Sequence, residues 1–338
     1  MPEFHRNAAE LAVLGAGSWG TALSLLLCRN GHRVRLWDRS KDQVQALRRD
    51  GENRRYLPGF RLPPALCPLE PIAEAVDGVG EIFVVVPSHA FADVLHALPD
   101  PLPDGAGIAW ATKGFEPATG RLLHQVAEEI LGPRDLAVVS GPSFAKEVAE
   151  GLPTAVTVAA PRPEHARCIA GCLHNDRFRA YTSGDLVGVQ VGGAAKNVLA
   201  IATGIADGLH FGANTRAALI TRGLAELIRL GTALGGSRET FMGLAGLGDL
   251  VLTCTDDQSR NRRMGLALAR GLTVEEAKRE IGQEVEGVIT TGSVNANAQH
   301  LGVEMPICKQ VLGVLQHGVT PQQATENLLM RRSKAEFY

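Results

Sequence analysis

The chain has 338 residues, of which 45% are hydrophobic and 21% charged, enough for two domains of ordinary size. Its formal net charge of −2, with no strongly basic lobe, argues against a protein that binds nucleic acid. The six cysteines form no CxxC pair and no histidine cluster completes a metal site. We therefore expect reduced thiols, no bound metal and a cytoplasmic protein.

In the first half of the chain, short β-branched runs alternate with helical patterns, which is typical of a doubly wound, Rossmann-like α/β domain with a parallel sheet. The predicted strands cover residues 11–15, 33–37, 82–86, 107–111, 136–140 and 154–160. The helical patterns between them include residues 21–29, 91–98 and 121–131. These elements predict a dinucleotide-binding domain over residues 1–184.

Near residues 181–185 the pattern changes to helical periodicity with almost no strand signal. The predicted helices cover residues 186–206, 216–234, 263–270, 274–281, 288–299, 306–317 and 321–329. We expect an all-helical substrate-binding and catalytic domain over residues 185–338. Helix 186–206 is long enough to span a membrane, but it is rich in Gly and Ala and carries Gln190, Lys196 and Asn197 near its middle. It is therefore predicted to be a core helix.

A glycine-rich loop joins the first predicted strand to the first helix. Residues 15–20 read GAGSWG and match GxGxxG through Gly15, Gly17 and Gly20. Glycines there permit a tight turn and a close approach of the backbone to a pyrophosphate, and the following helix N-terminus offers free N–H groups. The position of the motif predicts dinucleotide binding, although glycine-rich turns are common.

The second strand ends in Trp-Asp-Arg, and its last two residues give opposed signals. Asp38 lies about 20 residues after the glycine loop, where an acid binds the ribose hydroxyls and favours NAD. Arg39 would instead hold the 2′-phosphate of NADP. Asp38 as a turn residue and Arg39 as a solvated side chain remain alternatives. We favour a site that accepts NADP, alongside NAD.

Three later strand ends point toward the same crevice, where open α/β sheets bind ligands. They are residues 86–91, which end at Phe91, a candidate cofactor contact; residues 111–114; and residues 140–144, which lead into helix 145–150. For any one of them alone, an ordinary turn rich in Gly, Pro and Ser is the favoured explanation. Lys113 stands out, because a charge at the carboxyl end of a strand faces the ligand crevice.

Lys196 is the only charged residue in the apolar stretch 186–206. A buried ammonium needs a partner or a function, and burial lowers its pKa toward neutrality. Asp249, within the largely apolar stretch 241–254, is the expected partner. Farther on, Ser259 begins the sequence SRNRR, whose guanidiniums suit a phosphate; Arg260 with Asn261 is the favoured pair, and the other two arginines are equally well explained as a solvated helix start.

These residues fit one reaction class, hydride transfer between a nicotinamide cofactor and a carbonyl carbon. Lys196 would act as general acid in reduction and as general base in oxidation. Lys113 would polarise the carbonyl or bind a neighbouring oxygen. The basic cluster would anchor a remote phosphate and so orient the substrate.

Five stretches of this chain resemble bacterial NAD(P)-dependent glycerol-3-phosphate dehydrogenase, over nearly its whole length. They are GAGSWGTAL from residue 15, ATKGFE from 111, SGPSFAKEV from 140, GAAKNVLAI from 193 and GLGDLVLTCTDDQSRNRR from 246. The resemblance implies interconversion of dihydroxyacetone phosphate and sn-glycerol 3-phosphate, which supplies glycerophospholipid synthesis. It also implies NADP held by Arg39 at the 2′-phosphate, and a homodimer.

The resemblance further implies site residues. Those contacting the glycerol phosphate would be Lys113, Gly141, Ser143, Lys196, Asp249, Ser259, Arg260 and Asn261. Those contacting the cofactor would be Ser18, Trp19, Arg39, Lys113, Ala145, Arg260, Glu284 and Glu286.

Two alternative functions remain open on the residues alone. The related 3-hydroxyacid dehydrogenases also place a glycine-flanked lysine after a dinucleotide domain, but they bind carboxylates and lack the Gly-Asp-Leu…Ser-Arg-Asn segment. A non-catalytic NAD(P)H sensor would need the glycine loop without a buried lysine and its acid partner. The joint presence of Lys196 and Asp249 disfavours the sensor.

Overall fold

Strands and helices alternate up to residue 183, and helices follow from there. The computed structural model describes residues 8–102 and 105–331. The strands are β1 (Glu10–Leu14), β2 (Arg33–Trp37), β3 (Glu52–Asn53), β4 (Leu57–Arg61), β5 (Leu66–Leu69), β6 (Glu81–Val84), β7 (Gly107–Trp110), β8 (Leu136–Ser140), β9 (Thr154–Ala159) and β10 (Phe178–Ser183).

The helices of the first half connect these strands. They are α1 (Ser18–Arg29), α2 (Lys41–Asp50), α3 (Ile72–Val76), α4 (Phe91–His96), α5 (Leu123–Leu131), α6 (Ala145–Glu150) and α7 (Pro163–Leu173). The helices of the second half are α8 (Leu186–Gly208), α9 (Gly212–Ala233), α10 (Arg238–Met242), α11 (Asp249–Thr255), α12 (Arg260–Ala269), α13 (Val274–Ile281), α14 (Glu286–His300), α15 (Pro306–Gln316) and α16 (Pro321–Leu329). A π-helical turn, Leu244–Gly248, leads directly into α11.

Eight strands form one sheet in the order β10-β9-β8-β7-β6-β1-β2-β5, and β3 pairs with β4 in a separate hairpin. The Rossmann-like domain followed by a helical region is confirmed. One detail differs from the predicted parallel sheet: β8 pairs with β9 antiparallel, so β9 and β10 run opposite to the other six strands. Alternate residues of β1 pack on opposite faces of the sheet, Leu11 and Val13 on one, Ala12 and Leu14 on the other. This double burial explains why the strand is apolar throughout.

Each of the six predicted strands is present within two residues of its predicted ends. The sequence patterns missed the hairpin, β5 and β10. Strand β5 has four residues and contains Pro68, which weakens its strand signal, and β5 ends one edge of the sheet. Strand β10 ends the other edge and is half exposed, so it lacks the apolar run of the central strands. The predicted domain boundary, between residues 184 and 185, falls in the short link from β10 to α8.

Helix α8 lies at the centre of the helical half, as predicted. It is the single described helix that is long and apolar enough to span a membrane, and 89% of its apolar window is buried inside the protein. Helix α12 packs closely against it at two glycines. A Cβ on Gly204 would overlap the Arg262 carbonyl oxygen, and a Cβ on Gly265 would overlap that of Ile201. This close approach brings the start of α12 next to the middle of α8.

Candidate active site

Lys196 lies in the middle of α8 with 6% of its surface exposed. Its Nζ donates to Oδ1 of Asp249 and, over 2.8 Å, to Oγ1 of Thr253. Asp249 is the first residue of α11 and is 1% exposed. The predicted pairing of Lys196 with Asp249 is therefore confirmed.

Asp249 joins two lysines from different parts of the chain. Lys113, in the loop after β7, donates from Nζ to the Asp249 Oδ2 over 2.7 Å and to the Gly141 carbonyl oxygen over 3.0 Å. One carboxylate thus lies between two ammonium groups, so the cluster Lys113–Asp249–Lys196 has an excess positive charge. Such a site suits an oxygen that gains negative charge.

Burial lowers the pKa of Lys196 to about 7, and the charge of Lys113 adds to this effect. The Asp249 carboxylate opposes both by stabilising the ammonium. A lysine with a pKa of about 7 is suited to exchange a proton near neutral pH, which is what general acid–base catalysis requires. The sequence left open which influence dominates, and in the structure burial does.

Thr253 was not among the predicted site residues. It lies four residues after Asp249 on α11, a spacing that puts both on one helix face. Its Oγ1 accepts from Lys196 and donates to the Asp249 carbonyl oxygen over 2.6 Å. This helical spacing was the available signal. Thr253 fixes the position of the Lys196 Nζ.

The start of α12 lies beside α8. Ser259 is the N-cap, and its Oγ accepts from the Arg262 backbone N–H over 3.1 Å. Asn261 is buried and uses both ends of its amide: Nδ2 donates to Asn197 Oδ1 and Oδ1 accepts from the Gly287 N–H, each over 2.8 Å. Asn261 thereby ties α8 to the first turn of α14.

Arg260 is half buried at this helix start. Burial lowers its pKa, and the neighbouring charge of Arg263 acts in the same direction, whereas Glu286 and Glu284 oppose them. The carboxylates at the start of α14 thus act on the charge of Arg260.

Glu286 bridges the two halves of the chain. Its Oε1 accepts from the Ser88 N–H over 2.9 Å, and its Oε2 accepts from the Ser88 hydroxyl over 2.8 Å. Burial raises the pKa of Glu286 to about 7, although the Ser88 hydrogen bonds and Arg260 oppose the rise. Ser88 was not predicted as a partner, because 198 residues separate it from Glu286. Glu284, two residues earlier, is exposed.

The glycine loop has the geometry for an anionic ligand. Gly15 has φ +114°, and a Cβ there would lie 2.5 Å from the Val85 carbonyl oxygen. A Cβ on Gly20 would overlap the Gly15 carbonyl oxygen, whereas one on Gly17 would meet open space. Among the residues that the structure describes, no side chain caps the N-terminus of α1, so its first N–H groups remain available. A dinucleotide pyrophosphate fits this exposed backbone.

Asp38 and Arg39 differ in their partners. The Asp38 carboxylate accepts from the Ala16 N–H and from the Ser40 N–H, each over 2.9 Å. Asn53, which the sequence analysis missed, donates from Nδ2 to the Ala16 carbonyl oxygen over 2.9 Å. Asp38 and Asn53 therefore hold the glycine loop from both sides. Arg39 is exposed, and no ion pair of its guanidinium is found in the described part of the chain.

The other predicted residues surround the same crevice or support it. Ser18 and Trp19 are half-buried in the first turn of α1, and Ala145 begins α6. The Ser143 hydroxyl donates to the Gly141 carbonyl oxygen over 2.9 Å, the same oxygen that Lys113 binds. Phe91 is fully buried and packs edge-on against Trp110, with ring centroids 5.8 Å apart. Its ring therefore supports the crevice from beneath.

Comparison with known proteins matches both halves of the chain to one family. The family model described as "NAD-dependent glycerol-3-phosphate dehydrogenase N-terminus" matches residues 10–166, and the family model for the C-terminus matches residues 185–326. A "Glycerol-3-phosphate dehydrogenase [NAD(P)+]" of Stenotrophomonas maltophilia is 56% identical over 98% of this chain and 97% of its own length. One of Xanthomonas euvesicatoria is 54% identical over 97% and 96%.

A solved structure is similar throughout. The crystal structure of glycerol-3-phosphate dehydrogenase from Coxiella burnetii superimposes with a TM-score of 0.93 and 49% sequence identity. The match covers 97% of this chain and 100% of that chain.

Proposed function

The chain belongs to the family of NAD-dependent glycerol-3-phosphate dehydrogenases, and on that premise we propose how its own residues perform the reaction. It is an oxidoreductase that interconverts dihydroxyacetone phosphate and sn-glycerol 3-phosphate with NAD or NADP. When bound at the glycine loop, the nicotinamide cofactor supplies the hydride for reduction of C2.

The observation that carries the proposed mechanism is the buried cluster Lys113–Asp249–Lys196. In reduction, the carbonyl oxygen of C2 gains the electron pair of the C=O bond as the hydride reaches the carbon. Lys196 donates its Nζ proton to that oxygen, which becomes the C2 hydroxyl. In oxidation the neutral Lys196 takes the hydroxyl proton back. A pKa of about 7 supports both roles.

Asp249 and Lys113 prepare Lys196 for this transfer. Asp249 orients the Lys196 ammonium and offsets part of its desolvation. Lys113 adds a second positive charge next to the same carboxylate and polarises the carbonyl or holds a neighbouring oxygen. Gly141 and Ser143 lie beside Lys113, because the Lys113 ammonium and the Ser143 hydroxyl both donate to the Gly141 carbonyl oxygen. We therefore place both residues at the substrate.

The start of α12 anchors the substrate phosphate. Arg260 supplies a guanidinium donor fork, which matches phosphate oxygens better than a point charge does. Ser259 supplies a hydroxyl whose proton is free to donate, since its Oγ acts as acceptor toward the helix. Asn261 keeps one Nδ2 proton beyond its bond to Asn197 and otherwise holds the helix start in place.

For the cofactor we propose a preference for NADP over NAD. The Asp38 carboxylate already accepts hydrogen bonds from two backbone N–H groups, those of Ala16 and Ser40, which makes it less available to bind the ribose hydroxyls. Arg39 is exposed and adjacent, and its charge suits a 2′-phosphate. The remaining proposed cofactor contacts are Gly15, Gly17, Ser18, Trp19, Gly20, Lys113, Ala145, Arg260, Glu284 and Glu286. Phe91, which the sequence suggested as a contact, is fully buried and is not among them.

We also propose that the protein is a cytoplasmic homodimer, on the family resemblance alone. Light scattering of the purified protein would test the dimer. A mass of one chain at micromolar concentration would contradict it.

Initial rates with dihydroxyacetone phosphate and either NADPH or NADH test the proposal as a whole. We expect consumption of both cofactors, with a higher kcat/KM for NADPH. A folded protein that consumes neither would overturn the assignment of this reaction. A higher kcat/KM for NADH would overturn the proposed preference and leave the reaction intact.

A further inference from the structure

The three arginines at the start of α12 differ in what they contact. Arg262 is committed inside the protein: its Nε donates to Asp257 Oδ1 over 2.8 Å, and its Nη1 pairs with Asp207. Its charge is therefore balanced twice. This excludes, for Arg262, the alternative of a solvated helix start that the sequence left open.

Arg263, in contrast to Arg262, has no carboxylate partner among the described residues. Its Nε is buried and makes no hydrogen bond. Within residues 8–102 and 105–331, no carboxylate forms an ion pair with Arg260 or with Arg263. A buried guanidinium donor without an acceptor is unfavourable, so a folded protein keeps it where an acceptor is expected.

Arg260 and Arg263 lie on the same side of α12. A spacing of three residues makes them neighbours on the helix surface, while Gly265 is buried on the side that packs against α8. The Arg263 charge also lowers the pKa of Arg260, although burial contributes more. The Glu286 and Glu284 carboxylates act on Arg260 without forming an ion pair with it, and the buried Nε of Arg263 remains unused. Two neighbouring guanidiniums with unused donors favour an anion with several acceptor oxygens. A phosphoryl group is such an anion.

We propose that Arg263 is a second phosphate-binding residue of this enzyme, which together with Arg260 binds different oxygens of one phosphoryl group. The proposal deepens the phosphate-anchoring role given to Arg260 above and rests on it. The phosphoryl group belongs either to the triose substrate or to the pyrophosphate of the cofactor, and the two sources share this chemistry.

Steady-state kinetics of Arg263→Gln, with each substrate varied in turn, tests the proposal. If the group is the substrate phosphate, the KM for dihydroxyacetone phosphate rises about tenfold to a hundredfold and that for NADPH is unchanged. If it is the cofactor pyrophosphate, the KM for NADPH rises instead. In both cases kcat changes less than about threefold, because the lysine cluster is untouched. Arg263→Lys, which keeps the charge but not the fork, recovers part of the loss.

Unphosphorylated dihydroxyacetone gives a second readout that a purely structural role would not move. If the substrate phosphate is bound, the slow rate with dihydroxyacetone is the same in Arg263→Gln as in the unchanged enzyme. The matched control is Arg270→Gln, which removes an exposed arginine paired with Glu280 just beyond the same helix. It should leave both KM values unchanged.

Both KM values remaining within twofold in a folded Arg263→Gln enzyme would overturn the proposal. Arg260→Gln, measured in parallel, separates this failure from a failure of the site itself. If Arg260→Gln raises a KM and Arg263→Gln does not, Arg263 is simply unpaired. If neither does, α12 is not the phosphate anchor, and both this inference and the substrate-anchoring part of the proposed function are wrong.

Discussion

The glycine loop and the lysine cluster are built in opposite ways. The loop offers an anion the backbone groups of six consecutive residues. Its glycines are required because a side chain at Gly15 or Gly20 would overlap neighbouring backbone. The cluster takes charged side chains from three distant elements: Lys113 is 136 residues from Asp249, and Lys196 is 53. A binding surface for a phosphate can be local, whereas a tuned proton donor needs tertiary packing to bury it and to supply its partner charges.

Replacing Lys196 should have the largest effect, and it distinguishes catalysis by the lysine cluster from cofactor binding by the glycine loop. Lys196→Ala should lower kcat about 10²- to 10⁴-fold, the range of general acid–base catalysis. The affinity for NADPH should stay within about twofold, since the glycine loop is unchanged. Asp249 retains Lys113 as its partner, so the protein should still fold. Stopped-flow kinetics and a fluorescence titration with NADPH measure the two effects.

Lys278, a surface residue whose side chain is 39% exposed and pairs with Glu275, is replaced by Ala as the control and should leave both values unchanged. Residual turnover above about a tenth of the original would show that the proton donor lies elsewhere, because such a loss is smaller than general acid catalysis supplies.

Two alanine substitutions within the glycine loop separate folding from binding. Gly20→Ala places a Cβ against the Gly15 carbonyl oxygen, so the free energy of unfolding should fall by about 1–3 kcal/mol or more. Gly17→Ala meets open space and should fold normally, while the KM for NADPH rises about tenfold because the Cβ occupies the side where the pyrophosphate approaches. Urea unfolding and steady-state kinetics test the pair. Equal stabilities would contradict the assignment of distinct roles to these glycines.

Arg39 tests whether side chains add specificity to the loop. Arg39→Gln should lower the kcat/KM ratio of NADPH to NADH about tenfold, because one charged contact to the 2′-phosphate is lost. The rate with NADH should be unchanged. A ratio that stays the same would assign Arg39 to the solvent and place the 2′-phosphate elsewhere.

The pH dependence of the rates tests the role of the lysine cluster without any substitution. Reduction needs protonated Lys196, so its kcat/KM for dihydroxyacetone phosphate should fall about tenfold per pH unit above the pKa of about 7. Oxidation needs the neutral amine, so its kcat/KM should rise as the pH approaches 7 from below. Profiles of the same sign in both directions would exclude Lys196 as the titrating group.

Most of the fold follows from local patterns. The central strands are apolar runs because both of their faces are covered, and the seven predicted helices of the second half keep their periodicity over two or more turns. The shorter helices α10 and α11 were missed. The edge strands β5 and β10 were missed, since a partly exposed or proline-containing strand is stabilised by its neighbour more than by its own sequence. The antiparallel β8–β9 pair leaves no mark in either strand's composition.

The sequence by itself determined the glycine loop, the buried lysine and the acid that partners it, because burial of a charge shows as an anomaly in an apolar run. Tertiary structure alone decided which polar groups were already occupied. Asp38 holds the loop, Arg262 is balanced by two carboxylates, and Arg263 is left without one. Arg262 and Arg263 look alike along the chain. Asp207 lies 55 residues from Arg262 and Ala16 lies 22 residues from Asp38, and a side chain's availability for a ligand depends on what remains after such partners are satisfied.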